Sequence, residues 1–418
     1  AFPEISETFI LNQISGLIDR GHHVDIYAMR PGNLTTMHAE VTQYGLLDRT
    51  RYLGVIPRNR FVRVLKAVGQ LAGSLKHLDR AVIVRSLNAR RYGRAASSLS
   101  LLFNALPLLR ERHYDIIHCQ FGTLGPRTLQ LRQIGAISGK LIISFRGYDA
   151  TQYLKDRPGV YAEMFRDADL LLPVSSSLRE VLVHAGCPEC KIRVHHSGID
   201  CAKFVPAERR RADGDTVKVI SVARLVEKKG IAYALEAMAK VKRTGRKIQY
   251  TIVGDGPLRS SLEELIGTFG ISEDVKLAGW KNHDEVIGLM RESDVLLAPS
   301  ITTEKGDQEG IPNVIKEAMA LCIPVISTYH SGIPELVEHN VSGFLVPEKN
   351  VAALSGCLAQ VIDAPDVRIS VGRNGRKRVE THYDIQKLND RMVEIYQQLA
   401  RECAGNYGGE FCSSMPAQ

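Results

Sequence analysis

Apolar positions recur along this chain in two rhythms. In the second half, short and nearly continuous apolar runs alternate with stretches whose apolar residues return every three or four positions. The first kind predicts buried strands and the second amphipathic helices. "VKVISVARL" (217–225), "IQYTIVGDG" (248–256), "VKLAG" (275–279), "DVLLAPS" (294–300), "IPVISTY" (323–329) and "GFLVPE" (343–348) are the expected strands. Between them fall helices in "GIAYALEAMAKVKRTG" (230–245), "PLRSSLEELIGTFG" (257–270), "HDEVIGLMRES" (283–293), "PNVIKEAMALC" (312–322) and "IPELVEH" (333–339). Pro257 and Pro312 are placed in the first turn of theirs. Such alternation predicts a doubly wound parallel sheet covered by helices on both faces, an α/β fold.

The first half shows the same alternation less regularly. Residues 6–21 form an amphipathic helix with Ile10, Ile14, Leu17 and Ile18 on one stripe and Ser6 at its N-cap. Strands are expected at 22–29, 114–120, 140–147, 170–175 and 191–198. A strand should precede the Ser6 helix, so the first strand is expected to be missing from the numbered chain. The chain opens at Ala1 without an initiator Met, which fits a fragment or a trimmed product. The division expected is a first domain over 1–203, a polar linker over 204–216 and a second domain over 217–384. A last helix over 385–403 is expected to cross back to the first domain, followed by a Gly- and Ser-rich disordered tail over 404–418.

Composition narrows the class. A chain of 418 residues with 44% apolar and 24% charged residues has material for two or three cores, which argues against a disordered protein. Eight cysteines in that length are no disulfide framework, and Cys187-Pro-Glu-Cys190 lacks the second pair of a zinc site. Reduced thiols in the cytoplasm are the expectation. No apolar run reaches the length of a membrane span and no signal peptide is visible. The net charge of +8 suits anionic substrates, anionic lipid or nucleic acid and does not choose among them.

Ligands of open α/β sheets bind beyond the carboxyl ends of the strands. Arg224 stands at such an end, with Lys228 and Lys229 in the same loop. Cations there can clamp a diphosphate, although a solvated loop is the commoner fate of such a run. Gly254, in "VGDGP", marks a close backbone approach, and no G-x-G-x-x-G in the first half supports a nicotinamide enzyme. "EGIPNVIKEAMA" (309–320) is the richest stretch. Glu309, Gly310 and Ile311 precede a helix beginning at Pro312, and the free N–H groups around Asn313 and Val314 form an anion site. Glu309 can face a sugar, and Glu317 offers two acceptor oxygens to a ribose diol. Taken singly, either glutamate could equally be solvated on a capped helix.

This stretch resembles the E-x7-E signature of the family-4 retaining glycosyltransferases, whose GT-B fold sets two Rossmann-like domains across a cleft. "HHSGID" (195–200), "ARLVEKKG" (223–230), "IVGDGPLR" (252–259), "SDVLLAPS" (293–300), "PVISTYHSGIPELV" (324–337) and "SGFLVP" (342–347) match in the family's order. "FPEISETFI" and "ISFRGYD" are similar to the colanic-acid and amylovoran type of exopolysaccharide enzyme. The resemblance implies transfer of a hexose from a nucleotide-diphosphate sugar to a glycan or polyprenyl-diphosphate-linked acceptor. Arg224 and Lys229 would contact the diphosphate, Glu309 the sugar and Glu317 the ribose, with Gly279 and Trp280 bordering the base. The family implies no metal and no cofactor, and Asp167-Ala-Asp169 is expected to be a helix end. No nucleic-acid partner is expected.

One departure stands at Arg146, where relatives often have a histidine. That leaves His118 as the candidate histidine of the first-domain cleft. Ser6 and Glu7 either face substrate or cap their helix. Ten cations between Arg58 and Arg94 are interleaved with apolar residues such as Phe61, Leu65 and Val84. With polyprenyl-linked acceptors in mind, they suggest peripheral contact with the inner face of an anionic membrane; a solvated helical face is the plainer reading. A sugar-nucleotide epimerase or phosphorylase, and a non-catalytic sugar-nucleotide binder, remain as alternatives.

Overall fold

The computed structural model describes residues 1–4, 7–32, 34, 37–53, 56–57, 59–73, 79–206 and 216–405. Ser6, Arg58, Lys76, residues 207–215 of the expected linker and residues 406–418 of the tail lie outside them.

The second domain is built on six parallel strands: β6 (Val217–Val222), β7 (Ile248–Val253), β8 (Val275–Gly279), β9 (Val295–Ala298), β10 (Val325–Thr328) and β11 (Phe344–Val346). Their order across the sheet is β11-β10-β9-β6-β7-β8. The chain winds outward from β6 in one direction and outward from β9 in the other. The crevice therefore opens between the carboxyl ends of β6 and β9. Alternation along each strand divides two cores. Val217 and Val219 of β6 and Ile248, Tyr250 and Ile252 of β7 pack with Leu235, Met238, Leu262 and Leu358 on one face. Ile220, Leu296 and Val325 pack with Met290, Ile315, Met319 and Val379 on the other. Burial on both faces is why these strands read as unbroken apolar runs.

In the first domain β3 (His113–Cys119), β4 (Ser138–Phe145) and β5 (Leu170–Pro173) form a parallel three-stranded sheet. A separate parallel pair joins β1 (Ile26–Ala28) and β2 (Thr50–Tyr52), a strand the apolar pattern did not suggest. Among the described residues no ladder links the two sheets. A side-chain chain does so instead: the Tyr27 and Tyr114 hydroxyls lie 2.9 Å apart, and Tyr114 donates to Asp25 at 2.7 Å. The segment expected as a strand over 191–198 makes a single bridge, Ile192 with Leu171, beyond a 3-10 turn at Glu189–Lys191. Its irregularity follows from an edge position where only Arg193 and His195 donate to β5.

Several helix starts shift. The first helix runs Thr8–Asp19 with Glu7, not Ser6, at the N-cap. Pro257 precedes the helix Arg259–Phe269 instead of opening it. Pro312 is the N-cap of Asn313–Ala320, with an extended ψ of 129°.

Two ties between the domains lie at the chain crossing and along the last helix. Ile199 and Ile385, on the two crossing segments, exchange backbone bonds with their neighbours: Ile199 N–H to Tyr383 O at 3.0 Å and Ile385 N–H to Ile199 O at 2.9 Å. The helix Ile385–Gly405 then packs Met392, Ile395 and Leu399 on Ile142 and Leu172 of the first domain. No helix among the described residues is long and apolar enough to cross a membrane.

Candidate active site

The loop after β6 folds into a 3-10 turn, Glu227–Lys229, closed by Gly230 at φ 66°. A Cβ on Gly230 would stand 1.9 Å from the Pro299 carbonyl, so glycine lets this turn press against the end of β9. Lys228 and Lys229 are thereby delivered to the loop that precedes Asn313–Ala320. Lys229 Nζ lies 3.1 Å from Glu309 Oε1 and Lys228 Nζ 3.4 Å from the same oxygen. Lys228 also pairs with Asp307 at 3.1 Å. Burial pushes the Glu309 carboxyl up, but Lys229 and Lys228 together hold it below the usual range. Burial likewise pulls Lys228 down, and Glu309 and Asp307 more than offset it. Glu309 is thus an ionised carboxylate facing two ammonium groups. Arg224, at the end of β6, is exposed and has no carboxylate partner among the described residues.

Behind Glu309 lies a relay that the sequence reading missed. The Glu309 N–H donates to His330 Nε2 at 3.1 Å, and His330 Nδ1 lies 2.6 Å from Glu348 Oε1. Since Nε2 accepts, the proton sits on Nδ1 and is donated to Glu348. Glu348 is held in turn by the Thr302 N–H at 2.7 Å. His330 follows β10 and Glu348 follows β11, so two strand ends fix the backbone that presents Glu309. The signal was there, as polar residues ending the runs "PVISTYH" and "FLVPE".

The helix Asn313–Ala320 opens beside Gly310 at the same crevice; its Ile315 N–H reaches the Pro312 carbonyl at 3.2 Å, and the N–H groups of Asn313 and Val314 precede the first intrahelical acceptor. Gly310, Ile311 and Pro312 are buried at its entry, and Asn313 and Val314 are half-buried. Lys316, fully buried, was also missed. Its ammonium donates to Ser197 O (2.6 Å), Ser197 Oγ (2.8 Å) and Asn313 Oδ1 (3.0 Å), pinning the helix to the domain crossing. Burial lowers its pKa to about 7. Glu317, one turn in, has His283 Nε2 at 3.7 Å, and that contact raises the His283 pKa. Gly254 at φ 130° lies against Ala223, where a Cβ would come within 1.9 Å of the carbonyl oxygen. Gly279, at φ 70°, turns the chain after β8 and leaves Trp280 59% exposed at the neighbouring strand end.

Across the crevice stands the first domain. A Cβ on Gly310 would meet Arg146 O at 2.7 Å, one on Gly147 would meet Gln308 O at 3.0 Å, and one on Gly332 would meet Ser175 Cβ at 2.6 Å. Three glycines thus let the strand-end loops of the two domains touch. Arg146, after β4, donates from Nε to Gln120 O at 2.9 Å and from Nη2 to Gln120 Oε1 at 2.7 Å. Glu7 is half-buried with its pKa raised by burial.

His118 does not join this group. Its Nδ1 lies 2.6 Å from the Tyr396 hydroxyl and its Nε2 2.8 Å from Ser144 Oγ. Burial takes its pKa down to about 3. Both ring nitrogens of the expected cleft histidine are thus engaged, Nε2 by β4 and Nδ1 by the last helix, and His118 ties the two together. Asp169, of the Asp167-Ala-Asp169 run, is engaged by Arg132 at 2.5 Å and Lys140 at 3.4 Å, which makes it a structural anchor.

Comparison with known proteins places this geometry. Residues 207–378 match the family profile "Glycosyl transferases group 1", and residues 6–203 match "Glycosyltransferase Family 4". The chain is 37% identical to the candidate colanic acid biosynthesis glycosyltransferase WcaL of Escherichia coli K12, over 95% of this chain and 98% of that protein. It is 36% identical to the amylovoran biosynthesis glycosyltransferase AmsK of Erwinia amylovora, over 96% and 98%. In fold it is similar to a glycosyltransferase from Rickettsia africae (TM-score 0.68, 18% identity, 94% of each chain). It is also similar to HepE of Anabaena bound to UDP and glucose (TM-score 0.67, 16% identity, 95% and 96% of the chains). With parallel sheets in two domains and relatives matched along nearly their whole length, the chain belongs to the family-4 glycosyltransferases of GT-B fold, alongside the exopolysaccharide biosynthesis enzymes.

Proposed function

We propose that the chain transfers a hexose, with retention of configuration, from a nucleotide-diphosphate sugar to a glycan or polyprenyl-diphosphate-linked acceptor in exopolysaccharide or cell-envelope synthesis. One observation carries this reading. Lys228 and Lys229 meet the carboxylate of Glu309 just before the N-terminus of Asn313–Ala320, where β6 and β9 part, and Arg224 stands exposed at the end of β6 in the same loop as the lysines. Breaking the bond between the anomeric carbon and the diphosphate develops positive charge on the sugar and negative charge on the leaving group. Arg224, Lys229 and the helix dipole stabilise the departing diphosphate. Glu309 faces the sugar, and its carboxylate favours the positive charge that forms there. Glu317 accepts from the ribose hydroxyls, and Trp280 with Gly279 borders the base. The acceptor hydroxyl attacks the same face that the diphosphate leaves, which gives retention. The HepE structures, bound to UDP with glucose and to UDP-glucose, make a nucleotide-sugar donor the natural choice.

The basic segment fits peripheral docking on an anionic bilayer. On the helix Arg60–Gly73, Phe61 is 83% and Leu65 73% exposed. Val84 on the next helix is 70% exposed, with Arg80, Arg85, Arg90 and Arg91 also at the surface. Apolar side chains flanked by cations suit a headgroup interface.

The test is a donor screen across UDP-, GDP- and ADP-sugars, with and without acceptor extract, read as released nucleotide and as the anomeric NMR signal of the product. Transfer that survives excess EDTA is expected, because side-chain cations clamp the diphosphate. Release of nucleotide from none of the donors, or an inverted product, would overturn this reading.

A further inference from the structure

Arg146 holds a charge that forms no ion pair among the described residues. Its guanidinium is packed 4.1 Å above the Phe9 ring and 5.9 Å from Phe121, and burial brings its pKa down to about 10. Its hydrogen bonds at Nε and Nη2 both go to the neutral Gln120. The carboxylate nearest in sequence, Asp149, is taken by backbone: Oδ1 accepts from the N–H groups of Arg146 (2.9 Å) and Gly147 (3.0 Å), and Oδ2 from that of Gly122 (2.7 Å). Among the described residues no carboxylate lies within ion-pair distance of the guanidinium. A desolvated cation of this kind is costly unless something pairs with it. Gln120 and Phe9 fix the plane of the group, and Asp149 and Glu7 act on its charge only from beyond ion-pair distance, too weakly to offset its burial. The placement is equally specific. The Arg146 backbone touches Gly310, next to Glu309, while the side chain turns back toward β3 and the first helix. The guanidinium therefore lies on the first-domain side, between the first helix and the end of β3, on the loop that meets Gly310.

We propose that Arg146 binds an anionic group of the acceptor, so that the acceptor class carries a carboxylate or a phosphate close to the attacked hydroxyl. This rests on the glycosyltransferase reading above and adds the acceptor's charge to it. A planar guanidinium oriented by two bonds from one edge presents its remaining N–H groups to an oxyanion, which suits either anion. A carboxylate would come from an acidic sugar of a glycan, and a phosphate from the head of a lipid-linked acceptor.

The full chain, saturated with the nucleoside diphosphate it binds most tightly, is titrated by ligand-observed NMR with two matched pairs. These are methyl β-glucuronide against methyl β-glucoside, and glucose 1-phosphate against glucose. At least one anionic probe is expected to bind ten-fold or more tightly than its neutral partner. Preference for the glucuronide assigns an acidic sugar; preference for the phosphate assigns a phosphorylated acceptor. Arg146→Gln should abolish the preference while leaving the neutral probes and the nucleotide unchanged, and Arg146→Lys should keep part of it. Equal binding of charged and neutral probes by the parent, or a preference that survives Arg146→Gln, overturns the proposal. The parent measurement needs no variant, so misfolding of Arg146→Gln does not shield the idea. Nucleotide binding by the parent is read in the same samples. Its absence would count against the donor-site reading, whereas nucleotide binding without anion preference would count against Arg146 alone.

Discussion

Replacing Glu309 with glutamine should tighten nucleoside-diphosphate binding while slowing transfer. In the ligand-free protein Glu309 competes with any diphosphate for Lys229 and Lys228, at 3.1 and 3.4 Å. At an effective dielectric near 20, a pair at such separations attracts by about 5 kcal/mol before desolvation is counted. The net worth of a charge-assisted hydrogen bond is nearer about 1.5–3 kcal/mol. Lys228 keeps Asp307 at 3.1 Å after the substitution, so Lys229 is the cation set free. If about half of that net energy reaches the ligand, affinity improves by about 1 kcal/mol, roughly five-fold. Turnover should fall by about 100-fold or more, since the lost charge acts mainly on the sugar cation of the transition state. Stability should fall by about 2 kcal/mol, through a partly buried lysine left without its partner. Calorimetric titration with nucleoside diphosphate, steady-state kinetics and a melting curve measure the three quantities. Weaker binding in step with the lost turnover would refute the competition argument. Unchanged turnover in a folded variant would remove Glu309 from the reaction altogether.

Arg224→Ala should weaken nucleoside-diphosphate binding by about ten-fold, within the range of a charge-assisted contact, and unchanged calorimetric affinity would take it out of the clamp. Donor KM should rise as pH falls through the raised pKa of His283, because protonated His283 draws Glu317 away from the ribose. The His283–Glu317 pair itself stabilises the fold fully below the unfolded histidine pKa of about 6.5 and is lost as pH rises through the folded value. His283→Asn should flatten the KM profile, and a profile identical in parent and variant would refute the assignment. Phe61→Ser with Leu65→Ser should reduce co-sedimentation with anionic liposomes several-fold without changing activity on soluble substrates, and equal pelleting with neutral vesicles would favour a plain solvated helix.

What could be read from the sequence was whatever a local pattern encodes. Strands β6 to β11 stood out because burial on both faces makes each an apolar run, and their order in the chain carries the alternation that a doubly wound sheet requires. Arg224, Lys229, Glu309 and Glu317 could be singled out because strand ends and a helix start are themselves sequence features. Helix starts slipped by a residue or two, as at Glu7 and Pro312, because caps depend on backbone angles. Contacts between distant segments were illegible. Nothing near His118 announces that Tyr396 and Ser144 engage its two ring nitrogens. Lys316 reads as a solvent-facing position until Ser197 and Asn313 are seen to enclose it. His330 and Glu348 lie 21 and 39 residues beyond Glu309 in the chain, yet they fix its backbone. Arg146 was visible as a departure, but its missing counter-charge exists only once Asp149 is known to be occupied by backbone N–H groups. Periodicity and turn chemistry act over a few residues and so are written locally. Electrostatic pairing is decided by which side chains the folded sheets bring within a few ångströms, and only the tertiary structure determines that.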